Sequence, residues 1–297
     1  MKFSVVIPTY NREKELVRCL DSVMNQTYKD FEVIVVDNGS IDNTKELVQT
    51  YMIENSCVKY IWQENSGSPA GSRNTGISNS ANDWIAFLDS DDYWYDSKLQ
   101  EVADVINGCD DNIIGVSHYE KKEVDGKLTV TLEHGSALSF NPYEELLFNG
   151  NCLSTSAMVV RKDKLIELNM FDTRKDYFAV EDYDLWMRLS RIGSFIYIKK
   201  TLGVFCISDT NMSGNIDLIN NNLKTLIYNH IENLDINSKD ILKKEHGARI
   251  EYYKGRTYQI NGDFKKAISI LIGSIQEYPW SIKKYISLVF AILSMRR

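Results

Sequence analysis

The sequence predicts an α/β fold: a mainly parallel sheet with helices on both faces, followed by an all-helical C-terminal extension. Two observations carry this. In the first 120 or so residues, short apolar runs of strand character alternate with segments of helical spacing, the rhythm that places a parallel sheet between helical layers. Beyond about residue 216 the strand signals stop and only helical spacing remains.

The expected strands are residues 3–7, 31–36, 58–62, 84–88 and 113–116. Between them Leu16, Cys19, Leu20 and Val23 share one helix face, as do Leu47, Val48 and Tyr51, and then Leu99, Val102, Ala103 and Ile106. The middle of the chain is less regular. Alternation over 127–132 suggests a hairpin, Asn141-Pro142 starts a short helix reaching Phe148, and 156–161 and 197–207 read as strands around a helix at 182–192. In the C-terminal region Gly255, Tyr258, Ala267 and Pro279 fall at the spacings of one tetratricopeptide-like hairpin, although Glu251 stands where a large apolar residue is usual. The apolar segment 285–297 is expected either to pack into a core or to rest on a membrane surface.

Bulk properties exclude some functions. The chain has 297 residues, enough for one large domain with an appendage, and a net charge of −7 disfavours a nucleic-acid partner. Five cysteines without C-x-x-C spacing favour reduced thiols over a disulfide frame or zinc site. The first strand starts almost at Met1, so no signal peptide is expected, and the longest apolar run, 286–293, falls well short of the ~20 residues of a membrane span. A cytoplasmic protein, at most peripheral on the membrane, is the expectation.

The chemistry concentrates at strand ends. The run Phe87-Leu88-Asp89-Ser90-Asp91-Asp92-Tyr93-Trp94 takes an apolar strand straight into three carboxylates, an oxygen-rich site for a hard divalent cation beyond a strand C-terminus, where open α/β sheets bind ligands. An EF-hand starting at Asp89 fails, because Tyr93, Trp94 and Gln100 occupy its Asp/Asn, Gly and Glu positions; a D-x-D-x-T phosphatase motif fails at Tyr93. The first strand ends in Pro8-Thr9-Tyr10-Asn11-Arg12, where Tyr10 can stack on a base or pack in the core. Asp37, at the end of the second, can accept from a base N–H or a ribose hydroxyl, while Asp42 or Asn43 caps the next helix. The loop 65–76, with Gly67, Gly71 and Gly76, either brings Arg73 toward a phosphate or is a structural turn with a solvated arginine, and it matches neither a P-loop nor a dinucleotide fingerprint. Glu181, Asp182 and Asp184 open an amphipathic helix, as caps or as a general base.

In this order, the motifs Val5-Val6-Ile7-Pro8-Thr9-Tyr10-Asn11-Arg12, Val35-Val36-Asp37-Asn38-Gly39-Ser40, Asn65-x-Gly67 with Arg73-Asn74-x-Gly76, Phe87-Leu88-Asp89-Ser90-Asp91-Asp92, and Glu181-Asp182 with Leu185-Trp186-x-Arg188 resemble a family 2 glycosyltransferase of the GT-A fold. The resemblance covers residues 4 to about 190. It implies a Rossmann-like domain over 1–215, with a nucleotide-sugar half (1–117) and an acceptor half (118–215), and leaves 216–297 as a helical region. It implies that Pro8, Tyr10 and Asp37 hold the base and ribose of a nucleotide diphosphate sugar, and that Arg73 serves the nucleotide and phosphate side. Asp89 and Ser90 would line the ribose, Asp91 would ligate Mn²⁺ or Mg²⁺, and Asp182 would be the catalytic base of an inverting transfer. Asn38, Ile41 and Ser72 stand where the family often has Asp, Thr and Ala. The expected partners are the donor, with UDP ahead of GDP or dTDP, a glycan or lipid-linked acceptor, a membrane surface under the C-terminal helices, and a second copy of the chain. Acceptor contacts are expected from His118, His134 and residues 151–156. A nucleotidyltransferase is disfavoured because Tyr10-Asn11-Arg12-Glu13 replaces its Gly-rich loop, and an inactive scaffold because Asp89, Asp91 and Asp182 are all present.

Overall fold

The computed structural model describes residues 1–138, 141–207 and 215–295, with 129–134 as backbone alone. They divide into two compact units: Met1–Thr173 with Glu181–Asp209, and Arg174–Val180 with Thr210–Arg297.

The first unit begins with four strands and three helices in alternation: β1 (Phe3–Thr9), α1 (Glu15–Met24), β2 (Phe31–Asp37), α2 (Thr44–Glu54), β3 (Val58–Trp62), α3 (Pro69–Asn79) and β4 (Trp84–Phe87). The strands pair in parallel in the order β3-β2-β1-β4. The apolar runs of β1, β2 and β4 are buried on both faces, which is what a sheet covered twice requires, while the edge strand β3 is partly exposed. Leu16, Cys19, Leu20 and Val23 of α1 are fully buried, as the helical spacing predicts.

The second half of this unit turns the sheet over. After β5 (Tyr93–Trp94) and α4 (Lys98–Ile106) come β6 (Ile113–Val124), β7 (Lys127–His134), α5 (Pro142–Asn149), β8 (Val159–Arg161), α6 (Lys162–Glu167), α7 (Glu181–Leu189) and β9 (Ser194–Ile207). Here β8 pairs antiparallel with both β4 and β6, β9 lies parallel to β6, and β5 and β7 join antiparallel. Parallel pairing is thus the rule among β1–β4 and is limited to β6–β9 beyond them. The expected hairpin exists, closed by Asp125-Gly126 with φ of 48° and 74°, the double left-handed turn that matches strand twist.

Two expected elements differ. Residues 155–157 form a 3₁₀ turn rather than the start of a strand, because Ser156 directs its polar atoms into side-chain bonds instead of a ladder. The helix at 182–192 is observed as Glu181–Leu189.

The second unit comprises α8 (Ile216–Glu232), α9 (Lys239–Ile260), α10 (Phe264–Glu277) and α11 (Ile282–Met295). Arg174–Val180 packs with it: Asn222 Nδ2 donates to the Phe178 carbonyl (3.0 Å) and Asn229 Nδ2 to Tyr177 Oη (3.0 Å). Helices α9 and α10 form a hairpin in which a Cβ on Gly255 would lie 3.0 Å from Leu271 Cγ, and Ala267 is fully buried. No helix among the described residues is long and apolar enough to cross a membrane.

Gly76 sets how closely α3 sits on the sheet, since a Cβ there would lie 2.4 Å from Val6 Cγ1. Overpacking of this kind costs about 1–3 kcal/mol. Gly76→Ala is therefore expected to lower the denaturant midpoint with an unchanged slope; a wild-type midpoint would mean that α3 is free to move off β1.

Candidate active site

The C-terminal ends of β1, β2 and β4 converge with the N-terminal parts of α3 and α7. At β1, Pro8 is buried beside Val36, and Tyr10 emerges at the strand end with 46% of its surface exposed. Asn11, at φ 50°, ties this end to the β2 loop: its N–H donates to Ser40 Oγ (2.9 Å) and its Oδ1 accepts from Ile41 N (2.8 Å). Asp37 is only 1% exposed, with one carboxylate oxygen accepting from Ser40 N (2.8 Å) and the other from Tyr60 Oη (2.6 Å). Burial and that carboxylate push the Tyr60 phenol far above its usual range. Asn38, where the family often has a second Asp, accepts from Gln63 Nε2 and Ser66 N, and so shapes the loop leading to α3. Asp42 accepts from Thr44 N and Oγ1 at the start of α2, fulfilling the expected capping role.

Helix α3 is launched by Ser68, whose hydroxyl accepts from Ala70 N, with Pro69 in the first turn. This delivers Arg73 into the centre of the site. Its guanidinium donates to Asp89 Oδ1 at 2.7 Å and to Glu181 Oε1 at 3.0 Å, and lies 5.3 Å from the centroid of the Phe171 ring. Burial alone would weaken its charge, but Asp89 and Glu181 more than offset this and hold it firmly protonated. Arg73, expected on the phosphate side, is thus a clamp joining the end of β4 to the start of α7. The pairing with Glu181 was not legible in the sequence, because a residue at a helix start reads first as a cap.

Beyond β4 the three carboxylates separate. Asp89 takes the Arg73 bond, and its own N–H donates to Ser156 Oγ (3.0 Å). Ser90 is buried. Asp91 remains partly open to solvent with Arg12 Nη2 3.8 Å away, and burial followed by repulsion from Asp89 raises its pKa to about 6. By its sequence position just past the strand end, Asp92 reads as a cap for the following segment. Instead it is buried, accepting from Ser156 Oγ (2.5 Å) and the Cys206 amide (2.7 Å), and burial pushes its pKa well up. It caps nothing because its neighbours in space lie on the 3₁₀ turn and β9, far off in sequence. Ser156 is the hub of this region, its carbonyl also accepting from Trp94 Nε1 and Lys98 Nζ.

Asp182 lies against residues 151–155. One oxygen accepts from Tyr183 N (2.7 Å); the other accepts from Thr155 Oγ1 (3.2 Å) and Asn151 Nδ2 (3.5 Å). Burial raises its pKa, with Arg73 pulling the other way; the same balance brings Glu181 to about 7. Of the expected acceptor contacts, Asn151 and Thr155 thus meet Asp182, while Ser156 is committed to the hub. His118 is fully buried with Nδ1 2.8 Å from the Tyr119 carbonyl, and burial keeps it neutral, so it is a core residue and no acceptor ligand. The side chain of His134 lies outside the described residues.

Among the described residues no three His, Cys, Asp or Glu side chains converge on one point at metal-ligand distance. Asp91, partly open to solvent, offers a hard oxygen donor of the kind that would fit Mn²⁺ or Mg²⁺. A cavity of about 440 Å³ opens at the other end of β4, where Arg161 is already bonded to Asp163 and to the Asp111 carbonyl.

A Rossmann-like half ending in an Asp-x-Asp, tied by an arginine to a second carboxylate pair, defines a GT-A glycosyltransferase fold. Residues 4–168 match Glycosyl transferase family 2, and the chain belongs to that family. The GalNAc(5)-diNAcBac-PP-undecaprenol β-1,3-glucosyltransferase of Campylobacter jejuni is 31% identical over 212 residues, 69% of this chain and 65% of that protein. Four curated relatives matched at 30–35% identity are spanned by the chain over 26–68% of their length. Among solved structures, S. aureus TarS 1-349 in complex with UDP-GlcNAc superposes with a TM-score of 0.66 at 22% identity, covering 93% of this chain and 81% of that one. The mannosyltransferase PcManGT of Pyrobaculum calidifontis, in complex with GDP-Man and Mn²⁺, gives 0.65 at 16% identity, covering 99% and 80%. At these identities the two structures establish the fold.

The raised pKa of Asp91 predicts a stability effect. Its folded value lies above the ordinary ~3.9 of an aspartate, so its ionisation destabilises the fold as pH rises from about 4 to 6, and the deficit persists above that. In metal-free buffer at neutral pH, Asp91→Asn should be more stable than wild type by about 2 kcal/mol, the gain vanishing near pH 4. Urea titrations at the two pH values measure it; equal stability at neutral pH would contradict the uncompensated carboxylate.

Proposed function

We propose that the chain transfers a sugar from a nucleoside diphosphate sugar, UDP ahead of GDP or dTDP, to a hydroxyl of a glycan or lipid-linked glycan in bacterial surface polysaccharide synthesis. The observation that carries this reading is the Arg73 clamp, which ties a donor-side carboxylate, Asp89, to the helix that presents Asp182. The names of the relatives add support: one acts on an undecaprenol-linked glycan, and one solved neighbour holds UDP-GlcNAc.

In this reading Tyr10 stacks on the base, with Pro8 forming the floor and Asp37 accepting from base or ribose through the lone pairs that Ser40 and Tyr60 leave. Asp89 and Ser90 line the ribose. Arg73 acts through Asp89 and Glu181 rather than on the phosphates, because its terminal nitrogens are engaged by those carboxylates. Asp91 would hold Mn²⁺ or Mg²⁺, which as a Lewis acid offsets charge on the leaving diphosphate. Asp182 takes the proton from the acceptor hydroxyl as that oxygen bonds to the anomeric carbon, while the bond from this carbon to the diphosphate oxygen breaks. Thr155 and Asn151 fix the carboxylate that does this. Inversion at the anomeric carbon follows from the family likeness. A base pKa raised toward neutrality suits the task, since proton transfer is most efficient when the base's pKa lies near the working pH.

Release of nucleoside diphosphate from a panel of nucleotide sugars and acceptors tests the reading. Asp182→Asn should lower turnover by about 10²–10⁴-fold with donor KM nearly unchanged. Near-normal turnover by that variant would remove Asp182 as base. For the wild type, kcat/KM should fall on the acid side with an apparent pKa above the ordinary ~3.9, because the proton acceptor must be ionised. A flat profile down to that value would contradict the buried base.

A further inference from the structure

Helix α11 leaves most of its large apolar side chains outside. Its buried positions are Lys284, Ser287 and Ala291, with Leu288 and Ile292 half-buried beside them. Lys284 Nζ donates to the carbonyls of Ser274 (3.0 Å) and Tyr278 (2.8 Å), and the Ser287 carbonyl accepts from Gln259 Nε2 (3.2 Å). Its outward face carries Ile282, Ile286, Val289, Phe290 and Leu293, each more than half exposed, and Trp280 just ahead of the helix is 83% exposed. These five residues recur at helical spacing, so they form one continuous stripe rather than scattered apolar positions. The expectation of core packing for this segment is therefore reversed for most of its large side chains.

Charge decides what covers the stripe. Across 281–297 there is no Asp or Glu; Lys283, Arg296 and Arg297 are basic, while Lys284 turns its amine inward, in a chain whose net charge is −7. A locally cationic, apolar helix within an acidic protein is complementary to an anionic lipid surface. A second copy fits less well, because isologous pairing of α11 on α11 would bring like charges together. At 14 residues the helix is about 21 Å long, shorter than the ~30 Å hydrocarbon core, which suits lying in the interface rather than crossing it. An exposed tryptophan at its start is of the type that settles at headgroup level.

We propose that α11, with Trp280, is an amphipathic foot that seats the protein on an anionic bilayer surface through Ile282, Ile286, Val289, Phe290 and Leu293, with the exposed Lys283 drawn to the headgroups. The proposal is independent of the transfer reaction, since seating on lipid needs neither donor nor acceptor. Cosedimentation of the full chain with phosphatidylcholine vesicles, with and without phosphatidylglycerol, tests it. Wild type should partition onto the anionic vesicles on the order of tenfold more strongly, and added salt should weaken this. Ile286→Glu/Phe290→Glu should abolish binding while leaving the circular dichroism and melting temperature unchanged, both side chains being exposed. Lys283→Glu should reduce the preference for phosphatidylglycerol and retain the fold. Three results would overturn the proposal: no binding to anionic vesicles, binding indifferent to the double substitution, or a concentration-dependent dimer that the double substitution dissolves in a protein that ignores lipid.

Discussion

Arg73 is the constraint on which the site depends. Its guanidinium is buried among two carboxylates, and a charge so placed is tolerable only because both partners are present with hydrogen-bond geometry. The two partners belong to different stretches of chain: Asp89 follows the last parallel strand, and Glu181 begins a helix that the sheet's second half supports. The clamp therefore fixes the relation between the carboxylates beyond β4 and those of α7. Its position is in turn set by the close seating of α3 on β1, where Gly76 leaves no room for a side chain over Val6.

Around this clamp the charges do not balance. Asp89, Asp91, Asp92, Glu120, Glu181 and Asp182 crowd one region, answered by Arg73, Arg12 and Lys98. Asp91, Asp92, Glu120, Glu181 and Asp182 all have raised pKa values, with burial the largest cause and neighbouring carboxylates adding to it. A bound cation would relieve such crowding, so the excess of carboxylates favours a cationic ligand. Asp92 serves a different end, lying behind the site with Lys98, where both bond Ser156 and hold the 3₁₀ turn against the end of β4.

The strand ends were legible in the sequence because chemistry and secondary structure coincide there: a Val/Ile run stops and a carboxylate appears, as at Asp37 and Asp89. The helix faces of α1 and α4 were legible for the same reason, through regular spacing. Contacts made across long sequence separations were not. Asp92 reads locally as a cap, yet its partners are Ser156 and the Cys206 amide. Ser156 sits in an apolar stretch that reads as strand, and nothing in its neighbours announces that its carbonyl will receive Trp94 and Lys98. His118 looks like a site histidine until burial shows it in the core. In α11 the periodicity identified an amphipathic helix, but periodicity alone does not say which face turns inward.

If Asp91 and the clamped carboxylates form a donor site that needs a divalent cation, nucleotide affinity must depend on the metal. Calorimetric titration of UDP and UDP-sugars into the protein, with Mn²⁺ and with chelator, measures this. Wild type should bind the nucleotide with Mn²⁺ and lose most of that affinity in chelator, and Asp91→Asn should bind weakly in both. Equal affinity with and without the metal, or an Asp91→Asn protein that binds like wild type in Mn²⁺, would contradict it.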